Sequence, residues 1–438
     1  MSPLPKDAAG RRLSVAIVGS GVAGLTVAAG LHPNHDVTVY ESADHIGGHT
    51  HTVDVDDAGT PVAVDTGFIV CNDWTYPNFL AMLARLGVAT QPSNMSFSLQ
   101  HEGTGLEYNG TSLNALFAQR RNLLSPSFLR MLAQILRFNR AAPAHLANGD
   151  PAQTLGDWLR REGYGRTFIE QYIVPLGRSI WSAEAEPLLG FPASFFIDFF
   201  QRHGFLNIDN RPQWRTVAGG SREYVRALTA PFTSRIRART PVESIRRLPG
   251  EVIVRTRQGE TARHDAVVVA CHADTALALL ADPSPLERQL LACFPFQQNE
   301  AVLHTDASLL PRAPLARAAW NYHVRTRAHR GCAITYDMNV LQSLSTRRRY
   351  LVSLNLEDRI DPAQILGRYS YDHPVYTPAG VAAQARHADI SGHRRTFYCG
   401  AYWRYGFHED GVVSGLTALE HFSRWQESHA ERDLPRVG

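Results

Sequence analysis

Lysine is almost missing from this 438-residue chain. Lys6 is the only lysine among 44 basic side chains, and the rest are arginine. A lysine beside a cofactor is therefore excluded anywhere past the first predicted strand, which begins near Leu13. Cysteine is scarce as well. Cys71, Cys271, Cys293, Cys332 and Cys399 are scattered without a C-x-x-C pair. That excludes a disulfide framework or a zinc site and points to reduced thiols in the cytoplasm. No uninterrupted apolar run reaches the roughly 18 to 20 residues needed to span a membrane. The net charge of +3 gives no case for a nucleic-acid partner. Internal repeats and low-complexity tracts are absent, and the residues after about Trp425 read as a polar tail. What is present is apolar content of 44%, enough for two substantial domains.

The most informative stretch is Val15 to Gly24. Val15-Ala-Ile-Val18 reads as a buried parallel strand. Gly19, Gly21 and Gly24 follow in the spacing G-x-G-x-x-G. Gly19 permits the tight turn, Gly21 lets a pyrophosphate reach the backbone, and Gly24 lets the next helix pack close. A second strand, Val37 to Tyr40, ends at Glu41, an acid placed for a ribose hydroxyl. Arg11-Arg12 ahead of an apolar run offers a rival reading as a twin-arginine export signal or short anchor. Against it, that run is broken by glycines and continues into strand, turn, helix, strand and acid, the context a nucleotide site requires. Past Glu41, Gly47-Gly48 brings more backbone toward the diphosphate, which suits a cofactor longer than NAD. Only one G-x-G-x-x-G occurs, so a built-in NADPH domain is not expected.

Further along, Val62 to Gly67 reads as strand and turn. From Cys71 to about Ser182 the pattern is mainly helical: Pro77–Leu86, Ser125–Leu146 with basic and apolar faces, Thr154–Arg161 and Arg166–Val174. Residues 191–200 are dense in aromatics. Val242–Ile245 and Val252–Arg255 read as paired strands, and residues 265–272 as a second buried strand followed by a helix at Thr275–Leu280. Residues 300–356 alternate as an antiparallel sheet. Thr396–Gly400 is a strand running into glycine, and a last helix is expected from Val412 to about Arg424. Nucleotide-binding pieces thus lie at the start, middle and end, with two insertions between them.

These features resemble the flavin amine oxidase and phytoene desaturase superfamily. More closely, the chain resembles the flavoprotein-like domain fused to plant cyclopropane fatty-acid synthases, with its free-standing bacterial relatives. The residues carrying that closer likeness are Tyr40-Glu-Ser42 to Gly47-Gly-His-Thr50, Asp73 to Asn78, Ser93 to Ser98, Leu116 to Gln119, Arg211 to Trp214, Asn339 to Gln342, and Cys399 to Trp403 with Gly406 to Gly411. The resemblance implies an α/β fold: a Rossmann-like FAD-binding domain of the amine-oxidase type with an inserted α+β substrate domain. Residues 1–70, 215–295 and 396–438 would form the first, and 71–214 and 296–395 the second. It implies FAD held by Gly19, Gly21, Val22, Ala23, Gly24, Glu41, Ser42, Gly48, His49, Thr50, Gly67, Phe68, Val242, Gly400, Asp410, Gly411 and Val412. It also implies an FAD-dependent oxidoreductase acting on a long-chain unsaturated or modified acyl substrate beside an acyl methyltransferase; the alternatives are an amine or other small-molecule flavin oxidase, and a non-catalytic flavoprotein partner of that methyltransferase.

Departures from the pattern matter too. His49 stands where amine oxidases usually carry arginine, and Ala401 where many carry an acid. The lysine many amine oxidases place near the flavin is missing. A conventional oxygen-consuming amine oxidase is therefore disfavoured. His408, Glu409 and Tyr402 are the catalytic candidates. For His408 and Glu409 a turn-shaping and capping role is the stronger reading. Tyr402, Trp403 and Tyr405 could wall a pocket or fill the core. The basic segment 125–146 reads as an ordinary helix before it reads as a membrane-surface one, and the 191–200 aromatics as core before acyl tunnel. Cys399 carries no pattern for covalent flavin attachment.

Overall fold

The computed structural model describes Leu4, Lys6 and residues 10–150, 152–326 and 331–433. The end of the expected polar tail, residues 434–438, lies outside them.

A five-stranded parallel sheet organises the first layer. Its order is Ile236–Arg237, Asp36–Tyr40, Ser14–Val18, Ala266–Val269 and Thr396–Tyr398. Val15 pairs with Val37 on one side and Ala266 on the other, and Val268 pairs with Phe397. Both faces are covered, which is why the central strands are apolar at every position rather than alternating. Val15, Ile17, Val37, Ala266 and Val268 pack beneath the first and last helices, Val22–Leu31 and His408–Asp433. Ala16, Val18, Val267 and Val269 face a three-stranded antiparallel sheet, Val242–Leu248, Glu251–Thr256 and Thr261–His264. The two helices cross closely because Gly415 has no side chain: a Cβ there would come 2.8 Å from the Ala23 carbonyl oxygen.

A buried ion pair ties these parts together. Arg247 donates to Glu287 at 2.8 Å and to Asp282 at 2.7 Å, and the Tyr398 hydroxyl donates to Glu287 at 2.6 Å. The guanidinium and these hydrogen bonds hold the Glu287 carboxyl down at about 2 against the opposing effect of burial.

The second layer is a seven-stranded sheet of Ile365–Pro374, Phe296–His304, Leu351–Leu354, Ile334–Asp337, Trp320–Val324, Phe97–His101 and Leu106–Asn109, in that order. The expected antiparallel sheet is extended here by a hairpin from within the stretch that reads as helical. Trp320–Val324 and Phe97–His101 run parallel. Ala301 to His304 are all buried, so alternation fails where both faces are covered. Helices Pro126–Asn148, Leu155–Arg161 and Ala193–Arg202 pack beside this sheet around Phe138, Trp158, Phe168 and Phe196. The predicted helix at 166–174 is continuous with Val174–Trp181 through one π turn, Ile169–Ile173. The last helix starts four residues earlier than its sequence suggests, at His408.

Among the described residues no helix is long and apolar enough to cross a membrane.

Candidate active site

A cavity of about 690 Å³ runs between the two layers. It begins at the carboxyl ends of the parallel strands, where open α/β sheets bind ligands. Gly19 has φ +108°, and a Cβ there would meet the Ala270 carbonyl oxygen at 2.9 Å. Gly24 packs even closer: its Cβ would lie 2.2 Å from the Gly19 oxygen. Gly21 differs from both. It stands at the N-cap of the first helix, and a Cβ built on it meets nothing within 4 Å. The space before the helix start is therefore open, with the free N–H groups and positive dipole end of that helix beside it. Gly47 and Gly48 form the facing wall; Gly47 bridges to Gly21, and His45 donates from Nε2 to the Gly48 carbonyl at 3.1 Å.

Glu41 ends the second strand on the same wall. Its carboxylate accepts from the Ser20 amide at 2.9 Å, the Ser20 hydroxyl at 2.6 Å and the Ala43 amide at 2.8 Å. The Ser42 hydroxyl gives a fourth, longer hydrogen bond at 3.3 Å; a carboxylate offers about four lone-pair sites, so a ribose hydroxyl would take the place of this longest one. Ser42, Val242, Arg257 and Cys271 complete this part of the lining.

Farther along, three imidazoles meet. His49 lies 5.5 Å from His373, 6.2 Å from His272 and 5.3 Å from Tyr371, measured between ring centres. The His49 Nε2 is buried without a hydrogen-bond partner. Burial, reinforced by the neighbouring imidazoles, pushes the His49 pKa well down; burial takes His373 to about 4 and lowers His272 too. All three are neutral at pH 7. The Tyr371 hydroxyl meets Thr66 Oγ1 at 2.7 Å and His51 Nδ1 at 3.1 Å. Tyr371 and His373 went unrecognised in the sequence because the strand that carries them, Ile365–Pro374, lies beyond the 300–356 stretch that reads as sheet. Their one signal is the polar-aromatic density of Tyr371-Asp-His373.

Most of the expected contacts are brought to this one cavity. Gly19, Gly21, Val22, Ala23, Glu41, Ser42, Gly48, His49, Gly67, Phe68, Val242, Gly400, Tyr402, His408 and Gly411 all line it. Five of the named residues lie outside that lining. Gly24 is a packing glycine behind the loop, not a wall residue. The Thr50 hydroxyl points to Tyr224 and His408. Val412 is buried in the core with Ala418 and Phe422. Asp410 accepts from the Phe407 amide at 2.9 Å and pairs with Arg404 at 3.3 Å, so it shapes the turn; burial raises its carboxyl to about 7. Glu409 caps the helix Pro77–Leu86, accepting from the Asn78 and Phe79 amides at 3.1 and 2.9 Å, which is the capping role expected as the stronger reading.

His408 borders the cavity but is held as a scaffold. Its ring stacks on Phe68 at 3.7 Å, and its Nε2 meets the Tyr224 hydroxyl at 2.6 Å. Burial depresses it to about 3, so the ring is uncharged at neutral pH. Tyr402 keeps its place in the wall, with a buried hydroxyl that has no partner. Tyr405 also lines the cavity, whereas Trp403 packs against His387 at 4.4 Å. Of the 191–200 aromatics, Phe199 reaches the wall and Phe196 and Phe200 are core.

FAD fits these residues. The open ground before Gly21 takes a diphosphate at a helix start, His49 lines the same cavity with a buried, unpartnered nitrogen, and Gly411 brings a second helix start to the wall. Lys6 is exposed on the chain ahead of the first strand, so no lysine reaches the cavity.

The fold is shared with solved flavoenzymes. Cyclohexylamine oxidase from Brevibacterium oxydans superposes with a TM-score of 0.69 at 16% identity, covering 96% of this chain and 99% of that one. A CLA-producing fatty acid isomerase from P. acnes gives 0.67 at 16% identity, with 94% and 98% covered. A putrescine oxidase bound to putrescine gives 0.64 at 14% identity, with 94% and 100% covered. Such low identities establish the fold alone. No curated protein matches the sequence. Residues 22–299, well over half of the chain, match the family of flavin containing amine oxidoreductases. The chain belongs to that family and is an FAD-dependent oxidoreductase.

Proposed function

We propose that the enzyme desaturates, reduces or shifts a double bond in a long unsaturated or modified acyl chain. The observation that carries this reading is the wall supplied by the second layer. Met95, Ile180, Trp181, Phe199, Trp320 and Leu354 line it, and the carboxylates of the whole cavity are Glu41, in the nucleotide-binding wall, and Asp372, which faces His272 at 4.0 Å. An apolar chain gains about 25 cal/mol for each Å² it removes from water there. The resemblance to the domain fused to cyclopropane fatty-acid synthases supports the same substrate class. So does the presence of a fatty acid isomerase among proteins of this fold.

Bound FAD supplies hydride exchange with a substrate carbon. The chain's own residues do the rest. Gly21, Val22, Gly48 and His49 would hold the diphosphate, Glu41 and Ser42 the adenosine ribose, and Val242 the adenine. Gly411 would bring the last helix's dipole to the ring edge, where it stabilises negative charge. The second layer excludes water and aligns the acyl chain. Tyr402 has an unpartnered hydroxyl and can donate a hydrogen bond to a group beside it. A net redox change needs oxygen, a quinone or a partner protein to exchange electrons; a double-bond shift needs none. We place the reaction in the cytoplasm, with an acyl methyltransferase as the anticipated partner.

An amine substrate is the second reading, supported by the family match to flavin containing amine oxidoreductases over residues 22–299. Mass spectrometry of lipid extracted from the purified yellow protein separates the two. A stoichiometric long acyl chain supports the proposal; no acyl ligand, with peroxide released on adding small amines, rejects it.

A further inference from the structure

Ten large apolar side chains are exposed among the described residues, and five lie close together in the chain: Leu113 at 77%, Leu123 at 49%, Leu124 at 88%, Leu129 at 43% and Leu136 at 41%. Leu315, 46% exposed, belongs to a short turn packed on the 113–116 segment and adds a sixth. Single exposed leucines are ordinary, but a cluster of them marks a surface with a use.

The arrangement follows helix geometry. Within Pro126–Asn148, Leu129, Ala133, Leu136 and Arg140 fall on one outward stripe, and Arg130 and Arg137 on the stripe beside it. Leu123 and Leu124 sit in the turn that leads into that helix. The outward side thus has its own apolar face, opposite the one that buries Phe128, Met131 and Phe138 in the core.

The charge carried by the segment itself has one sign. From Tyr108 to Gly149 the sequence holds Arg120, Arg121, Arg130, Arg137 and Arg140 and no aspartate or glutamate. Acids on the following helices are matched by their own arginines, Asp157 with Arg160 and Glu170 with Arg166. Leucines flanked by arginines, lying flat along a helix, are the chemistry of an interfacial segment: the leucines enter the acyl boundary while guanidinium groups pair with phosphates.

We infer that this face docks the protein, helix in plane, on a bilayer containing anionic phospholipid. The inference is independent of what the cavity binds. It does have a consequence for it: the long helix packs against Ala193–Arg202, whose Phe199 lines the cavity.

The test is flotation of the FAD-loaded full chain with vesicles of phosphatidylcholine alone or mixed with phosphatidylglycerol. The expected result is binding to the mixed vesicles, at least tenfold less to phosphatidylcholine alone, and release as salt is raised. Leu123→Ser with Leu124→Ser, and separately Arg130→Glu with Arg140→Glu, should each lower binding at least tenfold. Both pairs are at the surface, so the flavin spectrum and thermal midpoint should stay at wild type. Absence of binding to mixed vesicles overturns the inference. So does a concentration-dependent dimer that the leucine pair dissolves, because the face would then join two copies of the chain.

Discussion

A Cβ placed on Gly48 would come 3.0 Å from the Cα of Gly21. Two glycine loops from different strands therefore touch at the point where the first helix begins. Gly48 also has φ +61°, a conformation that costs most other residues about 1–2 kcal/mol. The pair lines the proposed diphosphate site, and the glycines around it separate binding from folding.

Gly21→Ala should fold and fail to bind. Its methyl group meets no protein atom but occupies the ground before the helix, so FAD affinity should fall tenfold or more, about 1.4 kcal/mol. Gly24→Ala should do the reverse kind of damage: its methyl group would strike the Gly19 carbonyl, destabilising the fold by about 1–3 kcal/mol or more. Thermal unfolding of the FAD-free proteins beside flavin titration distinguishes the two.

Glu409→Gln tests capping against catalysis. Losing the carboxylate weakens the hydrogen bonds to Asn78 and Phe79 and should destabilise the protein by about 1–3 kcal/mol. Turnover per bound flavin should remain within about threefold of wild type, well short of the 10²–10⁴ a general acid or base contributes. A hundredfold loss of turnover in a protein of normal stability would return Glu409 to the catalytic group.

Glu287→Gln should destabilise by about 1–3 kcal/mol, because the buried Arg247 guanidinium keeps Asp282 but loses the charge of its more deeply buried partner. Arg247→Met combined with Glu287→Leu should be less harmful than the single change. Urea denaturation of the three proteins measures both.

Acid should unfold the protein between about pH 6.5 and 4. His51, His203, His264, His304, His373 and His387 are all lowered to about 4 by burial, and His408 to about 3. Below an unfolded pKa near 6.5 the unfolded chain binds protons that the native state refuses, so their stabilisation is complete above pH 6.5 and lost as pH falls through 4. Asp65 and Asp410, raised to about 6 and 7, act oppositely, favouring the native state at low pH and losing that contribution as pH rises through those values. Seven groups outweigh two, so the thermal midpoint should drop on acidification from pH 7 to 4.5.

The sequence was most legible where local pattern and burial agree. Val15 to Gly24 and Glu41 announce the nucleotide loop because buried strand, glycine spacing and terminal acid are all local. Pro77–Leu86 is also read correctly, with proline at its start and glycine after its end. The hairpin at Phe97–Asn109 was hidden, since its strands are short and surrounded by helical pattern. The early start of the last helix was hidden too: His408, Glu409 and Asp410 look like loop, and only tertiary partners show each one's use. The imidazole group could not be read at all, because His49, His272 and His373 are far apart in the chain and meet only when the layers close.

The central claim is that bound FAD exchanges hydride with an acyl chain in this cavity. The most direct measurement is the visible spectrum of the FAD-loaded enzyme, held without oxygen, on adding unsaturated, methyl-branched or cyclopropane fatty acids. The account predicts bleaching of the flavin's visible band with one of them, or a shifted double bond in the recovered lipid when the colour is restored within the same turnover. An unchanged spectrum and unchanged lipids, with rapid bleaching by a primary amine, would contradict it.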